Sequence, residues 1–323
     1  MIRDNIALTF IIPHRETDTI EETVVSVKTS CEKAGIACEI FAVSGNNPTK
    51  QRNKCIDMAR NDYIYFIDND SIVVRESLEK FKGLIKKYPK VSVIGGPAII
   101  HPQDNYLQKN FNSVLSSPLA VGKISSRYSK RGGVRETDDS ELILCNLIVK
   151  KSIFDKVGKL NENLYPNEEN EFIHRVKSFG EKVLYDPEIY VFKSQRETFK
   201  DFINQIFNYG RGRGEQTRIS PKSFKPLILI PVFFSLYLPL YLILGISGKI
   251  DIFIVSAPLF LYLFTATLSW FSQCLMDKYF YLYYPAIFLL TDALYGFGFL
   301  YGFFKRTFKT ANIEFSYKIE KIE

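Results

Sequence analysis

Residues 63–70 read Tyr-Ile-Tyr-Phe-Ile-Asp-Asn-Asp. The first five are aromatic or β-branched and show no polar alternation, which is the pattern of a strand buried on both faces. The last three are polar, and two of them are carboxylates one residue apart. Side chains two apart on an extended segment point the same way, so Asp68 and Asp70 project together from the strand's carboxyl end. Two hard oxygen ligands suit Mg2+ or Mn2+, which take one or two carboxylates and complete their shell with substrate phosphates. Asp-Asn-Asp is also an ordinary turn sequence. Its place directly after a buried strand is what favours the metal reading.

Working outward, the same design repeats. Residues 6–12 (IALTFII) stop at Pro13, and residues 38–43 (CEIFAV) stop at Ser44-Gly45-Asn46-Asn47-Pro48. Residues 91–94 (VSVI) stop before Gly95-Gly96-Pro97. Between these runs, residues 20–33, 51–59 and 78–88 carry helical patterning. Strand alternating with helix is the α/β signature and predicts a doubly wound, mostly parallel sheet. Ligands of such sheets bind at the carboxyl ends of the strands. The polar turns after residues 12, 43 and 67 therefore meet in one crevice.

Farther along, residues 105–139 are rich in Ser, Gly and Arg and read as irregular, flexible loops. Arg127, Arg131 and Arg135 there read more readily as a solvated basic loop than as contacts to an acceptor phosphate. Residues 142–149 predict a strand, 151–157 and 169–179 helices, and 183–185 and 189–192 short edge strands. The histidines, His14, His101 and His174, are too dispersed in sequence to suggest a metal site. The cysteines number five, an odd count without a CxxC pair, so neither a zinc site nor a disulfide framework is indicated and a reducing cytosol fits.

A chain of 323 residues is long for a single core, and its charge is unevenly spread. Residues 227–304 are almost free of charge. They fall into three apolar stretches, 227–245, 250–270 and 279–304, each near the length that a spanning helix needs. Just before them, Arg211, Arg213, Arg218, Lys222 and Lys225 stand against Glu215 alone. The net charge of +7 thus reads as a cytoplasmic flank facing anionic membrane lipid, with no nucleic-acid module present. Three spans from a cytoplasmic N-terminal domain place the C-terminus outside. Lys305, Arg306 and Lys309 favour the inside, so one segment lies in the interface or bends back. The expected division is a catalytic domain at 1–213, a basic linker at 214–226, two or three membrane segments within 227–309, and a tail at 310–323. The cell membrane, with a cytoplasmic catalytic domain, is the expected location.

Five motifs carry a resemblance. Ile11-Ile12-Pro13-His14-Arg15-Glu16 closes the first strand. Gln51-Arg52-Asn53 lies on the helix before the metal motif, and Asn61-Asp62-Tyr63 leads into Asp68-Asn69-Asp70. Asn167-Glu168-Glu169-Asn170-Glu171-Phe172 opens a helix. Residues 205–213 (QIFNYGRGR) follow later. Together they resemble glycosyltransferase family 2 catalytic domains of the GT-A type, and the last motif resembles membrane-anchored exopolysaccharide glycosyltransferases. The resemblance implies an inverting, metal-dependent transfer of one sugar from a nucleotide sugar, a UDP-sugar first, to a lipid-linked or saccharide acceptor. It implies a donor pocket shaped by Pro13, Arg15, Glu16, Ser44, Arg52, Asn53 and Asp68, with Arg211 and Arg213 near the diphosphate. Asp68 and Asp70 would hold the metal. Glu169 would be the general base, with Glu168 second. Ser44 stands where the family commonly has a base-contacting Asp, and Gly212 replaces the aromatic of processive synthases, which favours single-sugar transfer. Two alternatives stand beside this: transfer directly to polyprenyl phosphate, and a nonenzymatic membrane-tethered binding protein.

Overall fold

The computed structural model describes residues 6–247, 252–305 and 316–322. In chain order the elements are β1 (Ala7–His14), α1 (Glu21–Ala34), β2 (Ala37–Gly45), α2 (Pro48–Met58), β3 (Tyr63–Phe66), β4 (Ser71–Val73), α3 (Arg75–Lys87), β5 (Val91–Gly95) and β6 (Ala98–Ile99). There follow α4 (Tyr106–Leu115), α5 (Pro118–Val121), β7 (Arg135–Glu136), β8 (Leu147–Lys150), α6 (Ser152–Val157), α7 (Glu168–Ser178), β9 (Lys182–Tyr185) and β10 (Val191–Lys193). The chain ends with α8 (Phe199–Ile219), α9 (Leu229–Ser247), α10 (Ile252–Asp277), α11 (Tyr284–Phe304) and β11 (Tyr317–Ile322). These form two compact units. The first holds residues 1–102, 123–194 and 309–323, and the second holds 103–122 and 195–308.

The first unit is built on one sheet in the order β11-β2-β1-β3-β8-β5-β9-β7. Strands β1, β2, β3, β5 and β9 run one way, and β7, β8 and β11 run the other. The sheet is therefore mixed, with its parallel strands concentrated where the sequence shows continuous apolar runs. Strand periodicity sorts β1 onto two cores. Leu8, Phe10 and Ile12 pack with Val27, Cys31, Leu78 and Phe81 of α1 and α3. Ile11 faces the opposite layer, with Ile56, Phe154 and Phe172 of α2, α6 and α7. Both faces are covered, which is why the strands lack polar alternation. A second small sheet, β4-β10-β6, stands beside the main one.

Local signals set the boundaries. Gly35 ends α1 in the left-handed region at φ 60°, where a residue without Cβ is unstrained. Asn47 caps α2 by accepting from the Lys50 amide at 3.0 Å, with Pro48 following at the first helical position.

Several expectations change. Residues 105–139 are largely ordered: Asn105 and Gln108 form a capping box that starts α4. The expected boundary between 213 and 214 runs through α8, because helical packing continues to Ile219. Residues 317–322, expected as a tail, form strand β11, antiparallel to β2 from Tyr317 opposite Gly45 to Ile322 opposite Ile40. In Tyr-Lys-Ile-Glu-Lys-Ile, Ile319 packs on one core layer and Ile322 on the other, and the charged residues between them suit an edge strand. Arg306 and Lys309 lie outside the described residues.

Among the described residues of the second unit three helices are long and apolar enough to cross a membrane: Pro226–Gly245, Ser256–Asp277 and Tyr284–Phe304. Helix α8 packs on α11 through glycines on both sides. A Cβ on Gly210 would lie 2.0 Å from the Tyr295 carbonyl oxygen, and one on Gly302 would lie 2.1 Å from that of Arg211.

Candidate active site

Asp68 and Asp70 follow β3, and the chain turns at once into β4, the Ser71 amide bonding the Asp68 carbonyl at 3.2 Å. Asp68 is half-buried and Asp70 exposed. Their nearest cation comes from far away in sequence. Strand β10 pairs antiparallel with β4 and sets Lys193 opposite Ser71. The Lys193 ammonium donates to Asp68 Oδ2 at 3.2 Å and to Asp70 Oδ1. Burial works against charge on both partners. For Asp68 the charges of Lys193 and Arg52 outweigh it and hold the carboxyl below its ordinary range. For Lys193 burial is likewise outweighed, by Asp70 and Asp68, so its pKa is raised.

Arg52 extends this cluster inward. From α2 its guanidinium donates to Asp68 Oδ1 at 2.8 Å and to Glu168 Oε1 at 3.1 Å. Arg52 and Glu168 are both almost fully buried. A planar guanidinium with fixed donors suits such a bridge. Burial pushes the Glu168 carboxyl up to about 7; Arg52 opposes this, and neighbouring Glu169 adds to it.

Glu168 and Glu169 open α7, where the helix dipole favours acidic residues. Asn167 at its N-cap has φ 103°, a left-handed conformation that Asn tolerates better than most residues. Glu169 has different company from Glu168. Its Oε1 lies 3.6 Å from Arg127 and accepts from Asn170 Nδ2 at 3.2 Å. Arg127 is therefore no solvated loop residue. It is buried, donates to the Ser140 carbonyl at 3.0 Å, and also reaches Asn170 and the Asp139 carbonyl. The segment that looked irregular in sequence is what holds Glu169.

The other expected residues separate into groups. Gln51 sews the ends of β1 and β2 together, donating to the His14 carbonyl at 3.0 Å and to that of Val43. Asn53, expected at the donor, instead fixes the loop before α7. It donates to the Leu160 carbonyl at 2.9 Å and to Glu162 at 3.0 Å, and accepts from the Leu160 amide. Pro13 is buried in β1, while Arg15 and Glu16 are exposed in the loop beyond it. Ser44, next to the last residue of β2, has its hydroxyl 3.5 Å from the Lys318 carbonyl of β11. Arg211 and Arg213 belong to the second unit. There Arg211 pairs with Glu215 at 3.0 Å and Arg213 donates to Gln216 at 3.0 Å. Sequence reading missed Lys193, whose position 123 residues from Asp70 is meaningful only through the β10–β4 register.

The donor chemistry suits a divalent cation. Asp68 and Asp70 supply carboxylate oxygens at the rim, and the space between them already takes a positive charge, that of Lys193. Among the described residues no group of three or more His, Cys, Asp or Glu is arranged to hold a metal. Two carboxylates leave the remaining positions to phosphate and water, as for Mg2+ or Mn2+.

Comparison with known proteins agrees with this arrangement. Residues 15–158 match the family Glycosyl transferase family 2. A search of curated proteins finds no match. Among solved structures, the mannosyltransferase PcManGT from Pyrobaculum calidifontis, in complex with GDP-Man and Mn2+, is similar with a TM-score of 0.57 and 11% identity, over 93% of this chain and 88% of that one. A Drosophila β-1,4-galactosyltransferase 7 variant, in complex with manganese, UDP-Gal and xylobiose, aligns with a TM-score of 0.38 and 15% identity, over 61% of this chain and 73% of that one. The matched segment contains Arg52, Asp68 and Asp70 on the sheet described above, so residues 15–158 match a glycosyltransferase family 2 domain, and the likeness to the mannosyltransferase is one of fold.

Proposed function

We propose that this protein transfers a single sugar from a nucleotide sugar to a hydroxyl of a lipid-linked saccharide, with inversion at the anomeric carbon, from a catalytic unit held at the cytoplasmic face of the membrane. The observation that carries this reading is the chain of ionic contacts Asp70–Lys193–Asp68–Arg52–Glu168. It joins the carboxylates suited to a metal with the helix start that bears the candidate base, which is the pairing a transferase requires.

Asp68 and Asp70 would hold Mg2+ or Mn2+, which when bound neutralises the charge developing on the departing nucleoside diphosphate. The mannosyltransferase of similar fold was seen with GDP-mannose and Mn2+, and a UDP-sugar is the donor that the sequence favours. Arg52 keeps Asp68 aimed and ionised. Arg15, Glu16 and Ser44, at the ends of β1 and β2, stand where a nucleoside would lie in such a sheet. Glu169 accepts the proton of the acceptor hydroxyl as its oxygen attacks the anomeric carbon. The bond from that carbon to the diphosphate oxygen breaks on the opposite side, so the configuration inverts. Arg127 and Asn170 fix the Glu169 carboxylate in place. A second reading makes Glu168 the base, since a carboxyl titrating near 7 is well matched to proton transfer at neutral pH.

The test is a panel of UDP-, GDP- and dTDP-sugars with Mn2+, with and without lipid-linked saccharide and polyprenyl phosphate. Nucleotide release that depends on the saccharide acceptor, with an inverted linkage in the product, is the expected result. Sugar found on polyprenyl phosphate itself would replace the acceptor assignment. No turnover of any donor would remove the function.

A further inference from the structure

Three helices have the length and composition of spans, yet the fold does not allow all three to cross. Strand β11 pairs with β2 over residues 317–322 and 40–45, so residues 317–322 are on the side where the catalytic sheet lies. Leaving that side and returning to it takes an even number of crossings. Residues 305–316 are short and carry several charges, and cannot supply a fourth.

Helix packing identifies the odd segment. Helices α9 and α10 are antiparallel neighbours: Phe234 stacks on Tyr262 at 3.9 Å, and Tyr241 Oη lies 3.2 Å from Ser256 Oγ. Helix α11 is antiparallel to α10, with Trp270 Nε1 donating to the Tyr281 carbonyl at its start and Tyr262 reaching Asp292 at its middle. It is antiparallel to α9 as well, with Ser235 donating to the Ala293 carbonyl at 2.9 Å and Gly296 packed against Pro231. Three helices cannot be pairwise antiparallel while all stand along the membrane normal. Helix α11 changes partner along its length, from α10 to α9, and so lies across the pair.

Helix α8 gives an independent argument. It runs parallel to α11 from end to end. Phe199 meets Tyr283 at 6.0 Å, Gly210 and Gly214 interlock with Gly298 and Gly302, and Arg218 reaches the Lys305 carbonyl. Lys200 and Asp201 at the start of α8 are exposed. A crossing α11 would carry one charged end of α8 through hydrocarbon that disfavours it: Lys200 and Asp201 if α11 starts on the far side, Arg218 if it ends there.

We propose that the chain crosses the membrane twice, through α9 and α10, and that α11 lies with α8 in the leaflet on the catalytic side, its exposed aromatic edge of Phe297, Tyr301 and Phe304 seated in the lipid interface. Aromatic residues favour that depth, and the basic ends of α8 and α11 suit anionic headgroups. The proposal rests on the reading of residues 226–304 as membrane-inserted, and its test separates the two.

The full chain, with its five native cysteines replaced, receives single cysteines by Met58→Cys, Ser247→Cys, Lys278→Cys or Lys318→Cys. Each is labelled with a membrane-impermeant maleimide in right-side-out and in inverted vesicles. Positions 58, 278 and 318 should label in one orientation and position 247 only in the other. Position 318 labelling with 247, opposite to 58, would establish three crossings and overturn the proposal. Position 278 labelling opposite to the other three would assign the crossings to α10 and α11 and overturn it too. Extraction of the chain by alkaline carbonate would instead sink the membrane reading itself. Should the cysteine-free chain fail to fold, green fluorescent protein and alkaline phosphatase fused in turn after Glu323 of the native sequence report the same side. Fluorescence without phosphatase activity is expected, and the reverse overturns the proposal.

Discussion

The ion chain around Arg52 and the glycine contact between α8 and α11 hold their parts together in opposite ways. At Arg52, five charged side chains from α2, α7, β10 and the turn after β3 meet at distances set by charge, and each has a partner. Between α8 and α11 the contact comes from missing side chains, with backbone meeting backbone at Gly210, Gly214, Gly298 and Gly302. At its exposed end the charged cluster can lose a member and keep its fold, because the groups left around Asp70 can be hydrated at the rim. A backbone contact admits no added atom, so substitution there acts on packing before it acts on chemistry. This contrast separates variants that should lose activity alone from variants that should lose structure.

The largest effect is expected at Asp70. Asp70→Ala removes an exposed carboxylate, so folding should persist, while transfer should fall to background because the cation that holds the diphosphate loses a ligand. Thermal melting and nucleotide release, measured on one preparation, check both halves. Near-normal turnover at saturating Mn2+ would show that the ion chain serves stability only.

Next comes the base. Glu169→Gln should lower transfer by roughly 10²–10⁴-fold with donor affinity little changed, since the contacts of Glu169 are Arg127 and Asn170 and not the Arg52 bridge. Calorimetry of donor binding beside the transfer rate decides it. If Glu168→Gln instead lost transfer and Glu169→Gln kept it, the two roles would exchange.

The two regions were also unequally legible in the sequence. The strand ends and the carboxylates on them were readable because burial on both faces writes a continuous apolar run and a turn stops it. Arg52, Asp68, Glu168 and Glu169 were visible as motifs. Lys193 and Arg127 were not, since each acts through a pairing that local pattern does not carry. Lys193 depends on the β10–β4 register, and Arg127 on an ordered path through residues 122–141. Arg127 in particular was hidden by its neighbours, because a segment rich in Ser, Gly and Arg has the composition of a solvated loop whether or not its arginine is buried. Asn53 shows the converse: a motif residue whose polar atoms hold the loop before α7. In the second unit, the apolar composition of α11 has the pattern of a span. Its antiparallel contacts to both α9 and α10 run through Trp270, Tyr262 and Ser235, which local pattern does not reveal.

Gly210→Val probes the backbone contact. The added atoms meet the Tyr295 carbonyl, so α8 must shift, and destabilisation of about 1–3 kcal/mol is expected for overpacking of this kind. Thermal melting in detergent checks it, with Gly83→Val on α3, whose Cβ position is open, as the control. Equal effects at the two glycines would mean that helix propensity and not the contact sets the outcome.

The smallest effect distinguishes Glu168 from its neighbour by its proton. Its carboxyl titrates near 7 in the folded chain, against about 4.3 for an unperturbed glutamate. Between those values the folded state holds a proton that the unfolded state has released. Stability therefore falls as pH rises: the contribution is fully present below the unfolded value and is lost on passing through 7. One proton difference corresponds to about 1.4 kcal/mol per pH unit. Glu168→Gln removes that proton from the balance, so its stability between pH 5 and 7 should decline less steeply than the parent's by up to about that slope. Glu169→Gln removes a neighbouring charge that helps to raise Glu168, so it should keep a slope of the same sign over a narrower window. Denaturation midpoints of the three proteins across this window give the answer. Parallel curves for the parent and Glu168→Gln would mean that Arg52 keeps Glu168 ionised throughout, and the reading of Glu168 as a base poised at neutral pH would fall with it.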